Sequence, residues 1–395
     1  MGALEGLKVV DLSRVLAGPL CTQILADQGA EVIKIEPPSG DETRGLGPPY
    51  DVSGHAAYYS ALNRGKRAMS LNLSDPESHD ILERLLEDAD VLVENFLPGT
   101  MERWGLGFED VLSKRYPKLI YCAISGFGSD GPLGGLPGYD AVVQAICGLM
   151  SINGDERSGA TRVGLPVVDH LTGYVALSGI LMALYKRGIS GLGARVEATL
   201  FDTALSMLLP HGVNFLASGK EPRLLGSAHP NIAPYDKFKT NTGEVFIGIL
   251  NNKQFAKFCD YLDKGDWLLD ERFATPASRL INRLALTGEI ESAIAEHDGA
   301  SLCEDLMRAG VPAGAVNTVS GALAQAHAQH RQSVISKEAY RGLRSPMVID
   351  GHKVTGGRAP PDFSQDTTQI LSELGFDEGQ IKALLDKGVV FPPAS

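Results

Sequence analysis

The sequence predicts an α/β protein built on a mostly parallel sheet, with a second and smaller α/β domain. Two observations carry this. Through the first third of the chain, short apolar runs alternate with longer segments of helical period, the pattern of strands joined by crossover helices. The chain also has 395 residues, 44% of them apolar, enough for one large core or two ordinary ones.

The elements follow in order. Residues 8–12 (KVVDL) form a short apolar run and read as a strand. Residues 18–27 read as a helix with Leu20, Ile24 and Leu25 on one side, and Gly29 is placed to end it. Residues 31–36 (EVIKIE) alternate like a strand, completing one βαβ unit. Residues 68–73 open a second unit as a strand. Ser74 is read as a helix cap with Pro76 in the first turn, and Ile81, Leu82, Leu85 and Leu86 make a helical stripe. Residues 91–94 and 119–125 return as strands. A long apolar stretch, 168–186, reads as a buried helix, followed by a strand at 194–200 and a helix at 201–216. The polar, proline-bearing stretch 218–234 interrupts the pattern, and 245–250 is again a strand. The expected division is a large domain over 1–217, a linker and small domain over 218–320, and a linker and C-terminal part over 321–395. That last part has little apolar mass beyond a short helix near 381–385, and is expected to wrap back onto the first domain or a partner subunit.

Composition removes several function classes. Basic residues number 36 and acidic residues 48, a net charge of −12, which argues against non-specific nucleic-acid binding. The five cysteines are scattered and lack any CxxC pair, so reduced intracellular thiols are expected, with neither a disulfide frame nor a zinc site. No HExxH spacing, GxSxG elbow or Walker loop occurs. The N-terminus does not read as a secretory signal, and no apolar run reads as a membrane span. Cytoplasmic location follows as the default.

Several residues stand out. Gly126–Gly131 spells GxGxxG after a strand, but Pro132, Gly134, Gly135, Pro137 and Gly138 follow. No helix can run through that stretch, so the dinucleotide reading is disfavoured and a redox nucleotide is not expected. The loop instead lets a ligand approach the backbone, and it ends in the polar pair Tyr139-Asp140. Asp169 lies between an apolar run and a long apolar helix. An aspartate there ordinarily caps the helix. It is also a carboxylate that a helix N-terminus would keep ionised and so nucleophilic; both readings are compatible. His170 points away from Asp169 on a helix and reads as structural. Asn95, Phe96 and Arg103 follow a strand end and offer a hydrogen bond, a stacking face and a charge to a nucleotide. A packed phenylalanine beside a solvated arginine fits these residues equally well.

Taken together, LEGLKVVDLSRVLAGP, GAEVIKIEPP, NRGKRAMSLNL, DVLVENFLPG, GYDAVVQAICGLM, GLPVVDHLTG and AHPNIAPYDKFKT resemble the class III CoA-transferases, the formyl-CoA transferase and CaiB–BaiF type, along nearly the whole chain. The resemblance implies a Rossmann-like large domain and an interlocked-ring homodimer. It implies coenzyme A as co-substrate, an acyl-CoA and a carboxylic acid as partners, and no metal, membrane or nucleic acid. Asp169 falls on the family's nucleophile. Leu16, Ala17, Leu71, Asn95, Phe96 and Arg103 fall on its CoA contacts, with Leu16, Ala17, Tyr139 and Asp140 supporting the chemistry. The related 2-methylacyl-CoA racemases carry GHD where this chain has Gly138-Tyr139-Asp140. Tyrosine, with a reference pKa of about 10, is a poor base at neutral pH, which favours transfer over racemisation; non-catalytic CoA binding stays open as a further alternative. The look is closest to transferases that use succinyl-CoA with glutarate or itaconate. Arg44, Arg64 and His229 are the cations nominated for the acid's distal carboxylate.

Overall fold

The computed structural model describes residues 2–337, 340–354 and 357–393. The chain forms two compact units. One comprises Met1–Cys147, Gly164–Met207 and Ala326–Ser395, the other Gly148–Val163 and Leu208–Gln325. The sequence reading drew its boundaries after residues 217 and 320; backbone contacts draw them after 207 and 325 and add 148–163 to the second unit.

The first unit is built on a six-stranded sheet. Its strands are β1 (Lys8–Asp11), β2 (Glu31–Glu36), β3 (Arg67–Ser70), β4 (Val91–Glu94), β5 (Ile120–Ser125) and β6 (Ala194–Thr199). They lie in the order 3-2-1-4-5-6 and every pairing is parallel. This is a doubly wound, Rossmann-like topology, in which ligands sit at the C-terminal ends of the strands where the order reverses, between β1 and β4. Helix α1 (Ala17–Asp27) follows β1, α2 (Ala57–Asn63) precedes β3 and α3 (His79–Glu87) precedes β4. The expected stripe of α3, Ile81, Leu82, Leu85 and Leu86, is buried. Its entry differs from expectation: Asp75, not Ser74, accepts the N–H of Glu77, and the Ser74 hydroxyl donates to Asn72 instead.

Helices α4 (Asp140–Ile146), α5 (Val167–Ser190) and α6 (Leu200–Ser206) pack on one another, and α5 lies against α1. α5 was expected to be buried. Thr172, Ala176, Leu177 and Ile180 are, but Met182, Tyr185 and Ile189 stand more than 70% exposed. At 24 residues it is also long and apolar enough to cross a membrane by length and composition alone, a length the sequence reading did not credit. The segment expected as one helix over 201–216 is two, α6 and His211–Ser218, because Pro210 cannot donate the helical hydrogen bond.

The C-terminal segment belongs to the first unit and carries more apolar mass than expected. Ile370, Leu371, Ile381, Val389 and Val390 are buried in the same core as Leu71, Leu82 and Leu92. Val389 accepts the N–H of Asn72, and the Asp366 carboxylate accepts that of Ala68, so the tail is stitched to the β3 edge. The second unit has an antiparallel sheet of β7 (Tyr235–Thr240), β8 (Gly243–Gly248) and β9 (Ala313–Ala315) in the order 9-8-7. Around it packs a core of Phe238, Val245, Ile247, Phe255, Phe258 and Ile290.

Candidate active site

The turn after β1 is where the first unit invests its buried polar groups. The Asp11 carboxylate accepts from the Ser13 N–H and hydroxyl, the Thr22 hydroxyl and Lys66 Nζ. Lys34 Nζ donates to the Ser13 carbonyl and to Asp41, and both charged side chains of that pair are fully buried. Lys34 and the Thr43 groups bound to Asp41 more than offset its burial and hold its carboxyl down at about 2. The Asn95 amide clamps Arg14 from both sides, accepting its N–H and donating to its carbonyl. Val15, a β-branched residue, is thereby held at φ 68°, a conformation such residues rarely adopt. The chain then enters α1 at Leu16 and Ala17, both buried. Their N–H groups meet no acceptor among the described residues, as expected of a helix start without a side-chain cap.

Asp169 faces this turn from the first turn of α5. It does not cap its helix. Asp140, at the start of α4, reaches across: its Oδ2 accepts the N–H of Val168 at 2.8 Å and of Asp169 at 3.1 Å, while its Oδ1 accepts from the Gln144 amide. The Asp169 carboxylate is left with no hydrogen-bond partner among the described residues. Burial first, and the charge of Asp140 second, raise its pKa to about 7, opposite to the direction expected from a helix N-terminus. α5 comes this near to α1 because residue 173 is glycine: a Cβ there would stand 2.8 Å from the Ala17 carbonyl oxygen. His170 Nδ1 donates to the Pro166 carbonyl, the structural role expected.

A cavity of about 300 Å³ opens between these elements, lined among others by Arg14, Leu16, Ala17, Asn95, Phe96, Tyr139 and Asp169. Its far wall is the glycine loop, whose base is closed by Gly126 packing on Gly138; a Cβ on either would meet the other's Cα within 2.9 Å. A second cavity, of about 400 Å³, is lined by Leu71, Pro37, Pro38, Leu73, Trp104 and Thr100 and shares Arg14, Phe96 and Leu97 with the first.

The structure therefore brings together Leu16, Ala17, Asn95, Phe96, Tyr139 and Asp169, with Leu71 next door and Asp140 behind. Arg103 lines neither cavity; it is exposed and donates to the Thr100 hydroxyl. The nominated cations are engaged elsewhere. Arg44 makes a bidentate pair with the buried Glu36 and stacks on Tyr59. Arg64 is paired with Asp27, both side chains under 5% exposed. Neither can turn to a substrate without stranding a buried carboxylate, which corrects the expectation for both. His229 belongs to the second unit, where its ring packs on Tyr235 and its Nδ1 accepts the Asn231 N–H. Three residues escaped the sequence reading, the first being Arg14, which lines both cavities. Tyr58, on α2, has its pKa pushed up to about 12 by burial and then by the charges of Asp169 and Asp140. Glu42 lines the first cavity.

The doubly wound sheet thus sets a cavity at its strand ends, with the Asp169 carboxylate in its lining. The chain belongs to CoA-transferase family III, whose family model matches residues 4–367. A succinate–glutarate CoA-transferase of Agrobacterium fabrum is 37% identical, the match covering 94% of this chain and 95% of that protein. The human succinyl-CoA:glutarate CoA-transferase is 36% identical, over 98% of this chain and 90% of its own length. A crystal structure of a CaiB/BaiF family protein from Brucella suis superposes with a TM-score of 0.84 at 38% identity, over 94% of this chain and 99% of that one.

Proposed function

We propose that this family III CoA-transferase moves coenzyme A from succinyl-CoA to a five-carbon dicarboxylic acid such as glutarate or itaconate, with Asp169 as nucleophile. The observation that carries the reading is a cavity-facing carboxylate without a hydrogen-bond partner among the described residues, beside a helix whose first N–H groups are equally unpaired among them. The glutarate transferases among its relatives support the acid class.

The Asp169 carboxylate attacks the thioester carbonyl, and the tetrahedral oxygen receives the N–H groups of Leu16 and Ala17. The C–S bond breaks, CoA leaves as thiolate, and a mixed anhydride of Asp169 and succinate remains. The thiolate attacks the aspartyl carbonyl, releasing succinate and forming an aspartyl-CoA thioester. The incoming carboxylate attacks this thioester, and the steps run in reverse to give the new acyl-CoA and free Asp169. One thioester replaces another, so the exchange is close to isoenergetic. The Gly126–Gly138 loop keeps water from the anhydride. A second copy of the chain is proposed to cover the exposed face of α5, as the family resemblance implies.

The test is a panel of acids incubated with succinyl-CoA, with each new acyl-CoA identified by mass. Glutaryl-CoA or itaconyl-CoA formation by the wild type and its loss in Asp169→Asn is expected. Equal turnover by that variant would remove Asp169 from the mechanism.

A further inference from the structure

The two cavities share a wall, and one charged side chain stands in it. Among the described residues lining either cavity, Arg14 is the only lysine or arginine. A CoA thioester whose reacting end lies at Asp169 and whose adenosine lies in the second cavity must carry its diphosphate past that wall. Resting on the CoA-thioester reading above, we infer that Arg14 is the group that binds the CoA diphosphate, and that Glu42 holds it in reserve until the ligand arrives.

Three features of Arg14 point there. Its root is fixed, because Asn95 holds both its backbone N–H and its carbonyl. Its guanidinium lies 5.8 Å from the centre of the Phe96 ring, in the wall common to both cavities. Nη1 donates to Glu42 Oε1 at 2.7 Å, while Nε is buried with no hydrogen-bond partner among the described residues. A buried N–H of a cation left unmet is costly, and the Nε edge of a guanidinium matches two oxygens of a phosphate.

The contrast with the other arginines decides which can respond. Arg64 and Asp27 are both almost fully buried, and so is the Glu36 partner of Arg44. Arg14 and Glu42 are 32% and 55% exposed, and an ion pair so open to solvent contributes little. It can be exchanged for a phosphate at small cost. Glu42 then acts as a competing anion. It keeps the guanidinium oriented in the free protein and lowers the net gain on binding.

The test compares CoA, 3′-dephospho-CoA and pantetheine, the last lacking the diphosphate and adenosine, by calorimetry or by competition with succinyl-CoA turnover. Arg14→Met should weaken CoA and dephospho-CoA binding alike, by tenfold or more, as the loss of a charged hydrogen-bond pair implies, and leave pantetheine unchanged. Glu42→Gln should tighten CoA binding at low ionic strength, and that gain should vanish in the double variant with Arg14→Met. Loss of pantetheine binding in parallel with CoA would overturn the assignment, as would loss for CoA but not dephospho-CoA, or a Glu42→Gln effect that persists without Arg14. A wild-type protein that bound no CoA would overturn the proposed function as well, whereas unaltered CoA binding by Arg14→Met would sink the Arg14 assignment alone.

Discussion

Asp140 takes the backbone N–H of Asp169 on its own carboxylate, at 3.1 Å, together with that of Val168. The division of labour matters. One carboxylate satisfies the helix start, and the other, one turn into the cavity, is spared that duty. The same arrangement sets two negative charges close together, which disfavours ionisation of the less hydrogen-bonded one.

The activity of the free enzyme should therefore follow the ionisation of Asp169. With its pKa raised to about 7, kcat/KM for succinyl-CoA should rise with pH through the neutral range. Asp140→Asn keeps an acceptor for Val168 and removes the neighbouring charge. Its acid limb should move down by about one pH unit, with folding retained. A profile that does not move would mean the limb belongs to another group.

Asp169 also works against the fold at high pH. Its folded pKa lies above the ordinary value of 3.8, so the stability linked to it is complete below that value and is lost as pH rises through about 7. Asp169→Asn should melt higher than wild type at pH 8, and the gap should close towards pH 5, as read by calorimetry.

Asp41 has the opposite linkage. Lys34 and Thr43 hold its carboxyl at about 2, below 3.8, so its contribution is present above pH 4 and lost as pH falls towards 2. Denaturant titrations should show Asp41→Asn with a shallower loss of stability across that acid window. At pH 7 the variant should be less stable by about 3–5 kcal/mol, because Lys34 is left as a buried unpaired charge. Turnover should fall with it, since the pair anchors the Ser13 carbonyl ahead of Leu16 and Ala17.

Gly173 sets the spacing between α5 and α1. A methyl group there would meet the Ala17 carbonyl oxygen, a backbone atom, at 2.8 Å. Gly173→Ala should cost about 1–3 kcal/mol of stability. It should lower kcat more than it raises KM for succinyl-CoA, because it moves the Leu16 and Ala17 N–H groups relative to Asp169. Thermal melts and steady-state kinetics on one preparation check both.

Much of the first unit was legible because its period and its chemistry agree. Ile81, Leu82, Leu85 and Leu86 form a plain helical stripe, and β4 is a continuous apolar run, as strands buried on both faces are. β2 was also readable, but for an incomplete reason. Lys34 and Glu36 alternate as a solvent face would, yet both are fully buried, neutralised by Asp41 and Arg44. No local pattern announces such partners, and the same blindness nominated Arg44 and Arg64 as substrate cations. The capping of α5 was hidden too, because Asp140 lies 28 residues from Val168. The β7–β8 hairpin was only half seen, since β7 (YDKFKT) buries little besides Phe238 and reads as polar. Asp169 itself was found through the ordered motif set; its immediate neighbours read equally well as a helix cap.

The most direct measurement of the central claim is peptide mass spectrometry of the enzyme quenched during turnover of succinyl-CoA and trapped with hydroxylamine. An aspartyl anhydride or aspartyl-CoA thioester converts to a hydroxamate, so the peptide containing Asp169 should carry that modification, dependent on acyl-CoA and absent from Asp169→Asn. An active enzyme whose Asp169 peptide stays unmodified while another side chain is labelled would contradict the account.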